Sequence, residues 1–508
     1  MISFDRRSFL VGSTAAAALA GCATGKKMPL RPLKPGEKRT LAFIGCGIQQ
    51  RTALASQFLD PSLNKTLKVV CVCDCDKVRA QNAAKQVNDA YKTNECRVEY
   101  DFRRVLEDPN IDAVCIATPD HWHAYIAVEA MKSGKDVYCE KPLTFSVEEA
   151  RKVIEAQKKY GRVFQTGSMQ RSWREFRVAV SLVRGGLIGD VLYVDANYGR
   201  AGDKLGGPSH PMRFWDDPAK AATEGAPNPD CDWNMWLGPA KWRPYTDQFA
   251  PRGVNHFYPM FWRFDDDIGS GYNGDWGAHH LDIAQWGLDM DEGGPSKIIC
   301  SSEPHSSNLY HGGRRQYGMK MIFKKPYGDV ELYHGPFGVW GTVFYGTDGI
   351  VAVNRGKIAV WKGTKNVRPN DTVRAEIANV TFSKNNLVAA SVGADYGTDA
   401  TVKKDDRLAN ALDTLEKKYA DIIKKADLYV STNHVQNFCE CVESRKCTIT
   451  PAEVGGRSST LCLLCNMSYQ YDRGFEWDGK RMTFKSGTCT GGISDKREVY
   501  RNGWNIEV

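Results

Sequence analysis

The chain has 508 residues, of which 42% are hydrophobic and 25% charged, a composition typical of globular proteins, and the length suggests two domains. Of the net charge of +8, residues 23–39 carry +5, because six basic residues there face one acidic residue. The rest of the chain is nearly neutral, which excludes a large electrostatic surface for nucleic acid, so we expect no nucleic-acid partner.

Residues 1–22 have the pattern of an export signal with a lipobox. Arg6 and Arg7 precede an apolar stretch, residues 11–20, that is too short to span a bilayer. The arginine pair resembles a twin-arginine signal, with an ordinary secretory signal as the alternative. Leu19-Ala20-Gly21-Cys22 matches a lipobox, so we expect Cys22 to carry a lipid; a soluble periplasmic protein is the alternative. We therefore expect an exported, periplasmic protein that is anchored to a bacterial membrane.

Residues 23–38 form a proline-rich, basic linker. Pro29, Pro32 and Pro35 disfavour a helix, so the segment should act as a semi-rigid spacer. Its basic side chains suit an anionic lipid surface beside the anchor.

Residues 39–163 alternate strand-like apolar runs with helix-like segments, which predicts a parallel sheet with crossover helices, the Rossmann dinucleotide-binding arrangement. The predicted strands are residues 40–44, 67–73, 113–117, 136–139 and 162–165. Gly45-Cys46-Gly47-Ile48 follows the first strand, as a dinucleotide-binding turn requires, although Gln50 occupies the position of the third glycine.

A carboxylate at the end of the second predicted strand favours NAD over NADP. Asp74 stands there, where it can accept hydrogen bonds from the ribose hydroxyls and would repel a 2′-phosphate. Asp76 is the alternative residue for this role.

Three residues are candidates for the chemistry. Lys141 follows the predicted strand 136–139, at the edge where open parallel sheets bind ligands. Asp275 and His279 are four residues apart, so on a helical turn they share a face, and the carboxylate can fix the imidazole tautomer or bind a sugar hydroxyl. We predict that Lys141 or His279 takes the proton of a substrate hydroxyl while the geminal hydrogen leaves as hydride.

In these motifs the chain resembles the Gfo/Idh/MocA family of NAD(P)-dependent oxidoreductases. The likeness covers roughly residues 40–480 and rests on Gly45-Cys46-Gly47, Ala117-Thr118-Pro119-Asp120-His121-Trp122-His123, Glu140-Lys141-Pro142, and Asp275, Gly277, His279 and Asp282. The resemblance implies that Thr118, Pro119 and His121 border the nicotinamide ribose and that Glu140 and Lys141 lie near the cofactor. It also implies a cis Lys141–Pro142 bond.

Residues 164–480 should form a second α/β domain with a large, mainly antiparallel open sheet. The predicted strands are residues 191–198, 297–300, 318–323, 329–333 and 339–345. The family resemblance implies that this sheet pairs between subunits, as a homodimer or homotetramer. Residues 405–429 have apolar side chains at helical spacing and predict an amphipathic helix for core or subunit contact, and residues 481–508 are expected to form a tail packed on the body.

Tryptophans concentrate between residues 215 and 286, in a segment rich in proline and glycine. Trp236 and Trp262 are candidates for stacking on a sugar ring, and ordinary packing is the equal alternative. Gln170 and Arg171 lie at the presumed domain junction, where they could bind a ligand or form an interdomain salt bridge.

Neither the cysteines nor the histidines predict a metal site. His280 and the pair His121 and His123 could suggest a metal, but two histidines that are two residues apart at a helix start point to different sides, and no third ligand at suitable spacing accompanies them. Most of the sixteen cysteines lie in strand-like or helix-like runs, so we expect buried free thiols. Cys462 and Cys465, with Cys439, Cys441 and Cys447 upstream, could suggest a zinc site. Cys439 and Cys441 are two residues apart in a predicted helix and so point to different sides, and Cys462 and Cys465 lie in an apolar run, which argues against zinc. We therefore expect no metal.

Together these features predict an exported oxidoreductase with tightly bound NAD, acting on a hydroxyl or carbonyl of a sugar, glycoside or cyclitol. One alternative is an NAD-retaining glycosidase that oxidises the 3-hydroxyl transiently and eliminates a substituent. A second alternative is a tethered, non-catalytic sugar-binding protein.

Overall fold

The computed structural model describes residues 30–197, 225–254, 261–265, 267–271, 273–305, 316–335, 340–378, 386–391, 406–471, 473–485, 494–497 and 500–508. The predicted export signal, Cys22 and most of the linker lie outside these residues. Among the described residues, no helix has both the length and the hydrophobicity to cross a bilayer.

A six-stranded parallel sheet forms the first domain, as predicted. Its strands are β1 (Arg39–Ile44), β2 (Leu67–Cys73), β3 (Arg97–Glu99), β4 (Ala113–Ile116), β5 (Asp136–Cys139) and β6 (Phe164–Thr166). The spatial order is β3-β2-β1-β4-β5-β6. Strand β3 was not predicted, because it has three residues and no buried run. Strand β6 completes this sheet, which therefore ends three residues beyond the predicted domain boundary at 163.

Helices cover both faces of this sheet. They are α1 (Ala55–Phe58), which continues a π-helical turn at Gln49–Leu54, α2 (Lys77–Tyr91), α3 (Phe102–Glu107), α4 (Asp120–Lys132) and α5 (Val147–Tyr160). Helix α5 shows how local sequence sets the ends: Ser146 and Glu149 form a reciprocal capping box, and Gly161 ends the helix in the left-handed conformation.

The second domain contains a ten-stranded sheet that is antiparallel except where β7 pairs with β10, which confirms the predicted fold class. Its strands are β7 (Val191–Ala196), β8 (Lys297–His305), β9 (Gln316–Lys325), β10 (Gly328–His334), β11 (Thr342–Gly346), β12 (Gly349–Asn354), β13 (Lys357–Lys362), β14 (Asn386–Ser391), β15 (Phe475–Asp478) and β16 (Thr483–Phe484).

The remaining helices connect and cover this sheet. They are α6 (Arg174–Arg184), α7 (Trp233–Leu237), α8 (Ala278–Gly287), α9 (Asp371–Ala378), α10 (Asp406–Lys418), α11 (Ala420–Ala426), α12 (His434–Ser444) and α13 (Ala452–Tyr471), with a π-helical turn at Asn273–Gly277 and short 3-10 turns at Met169–Ser172, Phe261–Phe264 and Arg501–Gly503. The predicted helix at 405–429 is present as α10 and α11, and its Leu412 and Leu415 are buried in the core.

Two segments from the second half of the sequence pack on the first domain. Helix α12 contributes Val435, Phe438 and Val442 to the core beside strands β1 and β2. Residues 225–254, called the strap here, lie against the start of α2: the N–H of Lys77 donates to Asp230 O at 2.8 Å, and the N–H of Asp232 donates to Cys75 O at 2.9 Å. The two domains are therefore not separate consecutive blocks of sequence.

The cysteines depart from the expectation at one position. Thirteen of those described are free, including the buried Cys439, Cys441, Cys462 and Cys465. Cys447, in contrast, is disulfide-bonded. The two C-terminal pairs do lie on helices, α12 and α13, and no group of metal-ligating side chains forms within the part of the chain that the structure describes.

Candidate active site

A cavity of about 510 Å³ opens at the carboxyl ends of β1, β2, β4 and β5, where a doubly wound sheet binds its ligands. The first domain contributes its floor, and the strap, the π-helical turn at Asn273–Gly277 and the β12–β13 turn close the other sides. Most of the predicted site residues line it: Gly45, Gly47, Ile48, Asp74, Thr118, Pro119, Glu140, Lys141, Trp236, Trp262, Asp275 and His279.

The two glycines of the turn after β1 have different surroundings: Gly45 packs against backbone, and Gly47 borders open space. Gly45 has φ of +85°, and a Cβ there would lie 2.7 Å from the backbone of Ala117 and Thr118. A Cβ added at Gly47 would meet no described atom within 4 Å. Gly47 therefore faces open space, where a ligand can approach the backbone.

Asp74 is fixed beside this turn. One carboxylate oxygen accepts the N–H of Cys46 at 2.7 Å, and the other accepts the N–H of Asp76 at 2.9 Å. Asp76, the alternative, is used differently: it is buried and caps α2 by accepting the N–H of Arg79. The geometry thus favours Asp74 as the residue that faces a ribose.

Lys141 pairs with Asp275 across the domain junction. Its Nζ donates to Asp275 Oδ1 at 2.6 Å and to the carbonyl oxygen of Asp275 at 2.9 Å. Arg263 Nε lies 3.6 Å from the same carboxylate oxygen. The expected cis bond between Lys141 and Pro142 is present.

Of the two roles expected of Asp275, orienting His279 is wrong, and binding a sugar hydroxyl stays a prediction. The Asp275 carboxylate binds the Lys141 ammonium, and the described residues offer the His279 ring no hydrogen bond to that carboxylate. The reason is local: residues 273–277 form a π-helical turn, whose wider repeat displaces side chains four residues apart.

His279 lines the cavity with one buried, unsatisfied nitrogen. Its Nδ1 is buried and has no hydrogen-bond partner among the described residues, so Nε2 is the nitrogen that faces the cavity. Burial lowers the pKa of His279 well below its usual range, and the charges of Arg355 and Lys141 lower it further. The imidazole is therefore neutral near pH 7 and can accept a proton.

Glu140 lies beside the glycine turn. Its Oε1 accepts a hydrogen bond from Gln49 Nε2 at 3.2 Å, and its Oε2 accepts the N–H of Lys141 at 3.2 Å. A Cβ at Gly167 would approach this carboxylate to 2.8 Å, so a larger residue there would displace the Glu140 carboxylate. Glu140 joins the turn after β1 to Lys141, consistent with a position near a bound dinucleotide.

His121 does not border the cavity, in contrast to the expectation from the family motif. Its ring is buried and Nε2 lies 3.1 Å from the carbonyl oxygen of Trp236. The reason is its place in the first turn of α4, which directs it toward the strap.

His123, which the sequence suggested only as part of a metal pair, lines the cavity instead. Its Nδ1 lies 2.7 Å from Pro142 O, and its Nε2 lies 2.9 Å from Thr118 O. Since a neutral imidazole carries one N–H, it donates to one of these carbonyls at a time. His123 therefore lies between the turn after β4 and the cis peptide after β5 and donates a hydrogen bond to one of them.

Asp120 is a buried acid in the cavity wall that sequence reasoning missed. It accepts the N–H of Ser270 at 3.2 Å, and burial raises its pKa to about 7, although Arg263 and Lys141 favour the charged form. Its position directly after Thr118-Pro119 was the only available signal.

Gln170 and Arg171 do not reach the cavity. Arg171 is buried and forms forked ion pairs with Asp282, at 2.7 and 2.8 Å, and with Asp291, so it forms a salt bridge, but one within the second domain and not between domains. Gln170 Oε1 accepts a hydrogen bond from Arg355 Nε at 3.0 Å. Gln170 therefore positions a lining residue and does not line the cavity itself.

The two predicted stacking tryptophans have protein groups on their ring faces. Trp236 stacks on Trp233 at 4.7 Å between ring centroids and on Phe249 at 6.3 Å. The guanidinium of Arg263 lies 4.5 Å over the ring of Trp262. Both tryptophans line the cavity, but packing accounts for Trp236.

Arg355 was also missed from the sequence. It lies in the turn between β12 and β13, lines the cavity beside His279, and carries no motif that marks it.

Two family models match the chain, one in each domain. Residues 39–168 match the model for the oxidoreductase family, NAD-binding Rossmann fold, of GFO_IDH_MocA. Residues 210–317 match the model for the oxidoreductase family, C-terminal alpha/beta domain, of the same group.

Curated relatives match over part of their length. The scyllo-inositol 2-dehydrogenase (NAD(+)) of Bacillus subtilis is 38% identical over 126 residues, 25% of this chain and 35% of that protein. A glycosyl hydrolase family 109 protein of Stenotrophomonas maltophilia is 28% identical over 248 residues, 48% of this chain and 49% of that protein. The chain thus spans half or less of the length of these relatives.

Among solved structures, levoglucosan dehydrogenase in complex with NADH and levoglucosan is similar in fold. The TM-score is 0.52 at 16% identity, covering 87% of this chain and 99% of that chain. At this identity the likeness shows the fold alone.

Proposed function

We propose that the chain is a member of the Gfo/Idh/MocA oxidoreductase family and an NAD-dependent enzyme that oxidises a hydroxyl of a sugar, glycoside or cyclitol, or reduces the corresponding carbonyl. The two family models that match residues 39–168 and 210–317 support this proposal. The observation that carries the proposal is the meeting of Lys141, Asp275 and His279 in one cavity with Gly45 and Asp74. A dinucleotide bound at the glycine turn could therefore extend to the proposed proton-transfer groups in the same cavity.

The residues present fit a dinucleotide. Open space beside Gly47 suits a pyrophosphate, and the Asp74 carboxylate suits a ribose diol. A 2′-phosphate at Asp74 would place two anions together, which supports NAD over NADP. Thr118, Pro119 and Glu140 line the cavity between Asp74 and Lys141, where they would border the nicotinamide half.

Two side chains divide the proton chemistry. Lys141 uses two of its three N–H donors on Asp275, so the third can hold the substrate oxygen. The neutral His279 accepts the hydroxyl proton at Nε2. When bound, NAD would accept the hydride from the substrate carbon that carries this hydroxyl. Asp275 keeps the Lys141 ammonium in place through the step.

A second function uses the same groups. Transient oxidation of a sugar hydroxyl would acidify the neighbouring C–H, so that loss of this proton would expel the glycosidic substituent as an alcohol. Addition of water to the resulting enone and return of the hydride would then give the free sugar with no net redox change. The similarity to a protein named as a glycosyl hydrolase supports this alternative. A non-catalytic sugar-binding protein has less support, because Lys141, Asp275 and His279 stand together in the cavity.

Export and tethering are part of the proposal. The paired arginines and the Cys22 lipobox support a periplasmic, lipid-anchored enzyme. Outside the cytoplasm NAD is not freely replaced, so such an enzyme must retain its cofactor and return the hydride within the same site. We also propose assembly as a homodimer or homotetramer through the sheet of the second domain.

The test begins with the purified protein. Denaturation should release NAD at about one equivalent per chain, identified by mass spectrometry. Addition of glycosides or cyclitols should then produce either reduced nicotinamide, measured by its absorbance, or free sugar without net reduction. The first result selects the dehydrogenase and the second selects the glycosidase, whereas a protein that never binds NAD contradicts both.

A further inference from the structure

Arg355 is held in a fixed position at the substrate end of the cavity. Its guanidinium lies between two indoles, 5.1 Å from the ring centroid of Trp173 and 4.9 Å from that of Trp276. Its Nε donates to Gln170 Oε1 at 3.0 Å. A planar cation held by two rings and an amide loses little conformational entropy when it binds a ligand.

The tryptophans at this end of the cavity form cation–π contacts with arginines. Arg263 covers Trp262, and Arg355 covers both Trp173 and Trp276. The imidazole of His280 is stacked on Trp276 as well, at 6.2 Å and 15°. Charge and hydrogen bonding, more than ring stacking, are therefore available for selecting the substrate.

The charges at this end favour an anion. The cations Lys141, Arg263 and Arg355 line the cavity with the carboxyls of Asp120 and Asp275, and Arg263 Nε lies 3.6 Å from Asp275 Oδ1. Glu140 also lines the cavity, on the side of the glycine turn, where it accepts a hydrogen bond from Gln49. Asp275 already binds Lys141, and burial raises the pKa of Asp120 to about 7, so Asp120 is partly neutral at that pH.

One further acid lies close to Arg355. Glu175 accepts the N–H of Gly356 at 3.1 Å, and burial raises the pKa of its carboxyl despite the neighbouring Arg355. It is not among the residues that line the cavity, so it does not offer a competing anion to a ligand there.

We infer that Arg355, assisted by Arg263, recognises an anionic group on the polyol substrate, either a carboxylate or a phosphate. A guanidinium matches both groups in geometry and binds them with charge-assisted hydrogen bonds. The inference rests on the proposed function and narrows it from neutral sugars to sugar acids or sugar phosphates. Arg355 acts here as a specificity residue, and Gln170 as the residue that positions it.

The test compares matched substrates on the NAD-loaded enzyme. kcat/KM is measured for a neutral methyl glucoside, for the matching glucuronoside and for the 6-phosphate, with the wild type, Arg355→Gln and Arg355→Lys. The wild type should prefer one anion, and Arg355→Gln should reduce the ratio of anionic to neutral kcat/KM about 10- to 100-fold, mainly through KM. Arg355→Lys should retain part of the preference. Which anion is preferred decides between carboxylate and phosphate.

Arg104→Gln is the matched control, because Arg104 is exposed on α3 and pairs with Glu107. It should leave the substrate ratio unchanged, and NAD content after purification checks that each variant folds. A wild type without preference for anions, or an Arg355→Gln variant that keeps the preference, overturns the inference.

A binding measurement separates this inference from the proposed function. Calorimetric titration of the NAD-loaded protein with glucuronate and with inorganic phosphate needs no turnover. Anion binding that is weakened by Arg355→Gln supports anion recognition even if no substrate is oxidised. Absence of oxidation would contradict only the proposed enzyme activity. Absence of binding to the wild type contradicts anion recognition while leaving oxidation of neutral sugars intact.

Discussion

At the scale of single residues, proton transfer in the proposed reaction depends on His279, because Lys141 is already bound to Asp275 through two hydrogen bonds. Replacing the imidazole removes the neutral base at Nε2 but none of the contacts at Gly45 or Asp74. We expect His279→Ala to lower kcat about 100- to 10,000-fold and to leave the amount of co-purified NAD unchanged. Steady-state kinetics and NAD quantification test this; loss of NAD together with activity would indicate a structural role.

The charge of Arg355 should affect the pH dependence of kcat. Arg355 and Lys141 lower the pKa of His279 beyond the effect of burial. A base with a lowered pKa stays active to lower pH, and removing one cation raises that pKa. The acid limb of the kcat profile should therefore move to higher pH in Arg355→Gln. An unmoved limb would mean that another group titrates there.

Asp120 gives a prediction on stability. Its pKa is about 7 in the folded protein and near 3.8 when unfolded, so the folded state binds more protons between these values and stability falls as pH rises. Asn cannot ionise, so Asp120→Asn should be more stable than the wild type at pH 8, by about 4 kcal/mol, and similar at pH 4. Urea unfolding at the two pH values measures the difference. A constant difference at both would contradict the raised pKa.

At the scale of elements, the strap encloses the end of the cavity around Asp74. Met235, Trp236 and Phe249 of the strap line the cavity. Arg79 at the start of α2 donates through Nη2 to Pro251 O and through Nε to Gly253 O. Arg51 donates to Val254 O at 3.2 Å and does not line the cavity. These bonds hold the strap over the proposed nucleotide end.

If the strap retains the cofactor, weakening these bonds should release it. Charged hydrogen bonds contribute about 1.5–3 kcal/mol each, so Arg79→Met should speed NAD dissociation about 10-fold or more. Arg51→Met should act in the same direction more weakly, and Arg104→Met is the exposed control. The rate is measured by exchange of bound NAD for a labelled form. Equal rates in Arg51→Met and the control would exclude a role for the strap and leave Arg79 as a direct contact.

At the scale of the whole molecule, the leader and the body should be separable. Changing Cys22→Ser should abolish lipid attachment and move the protein from the membrane to the soluble periplasmic fraction. Changing Arg6 and Arg7 to Lys should block export if the twin-arginine pathway is used. Fractionation with lipid labelling measures both, and a Cys22→Ser protein that stays on the membrane would contradict the anchor.

The sequence by itself determined where five strands of the first sheet lie along the chain and which residues follow them. Period-two and apolar patterns act locally, and the carboxyl ends of parallel strands must meet at one edge, so Gly45, Asp74, Thr118 and Lys141 could be placed together without a structure. The cis Lys141–Pro142 bond followed from the family resemblance. The short strand β3 lacked an apolar run and could not be found this way.

Only the tertiary structure decided which charged groups form ion pairs and which tryptophan faces are covered by cations. Lys141 and Asp275 are 134 residues apart, and Arg171 and Asp282 are 111 apart. With 68 basic and 60 acidic residues in the chain, spacing could not choose among possible pairs. Long-range packing made that choice. It pairs Arg171 with Asp282 and Asp291, and it places the His121 ring against Trp236, away from the cavity. It also places Arg355 between Trp173 and Trp276, and the strap over the proposed nucleotide end of the cavity.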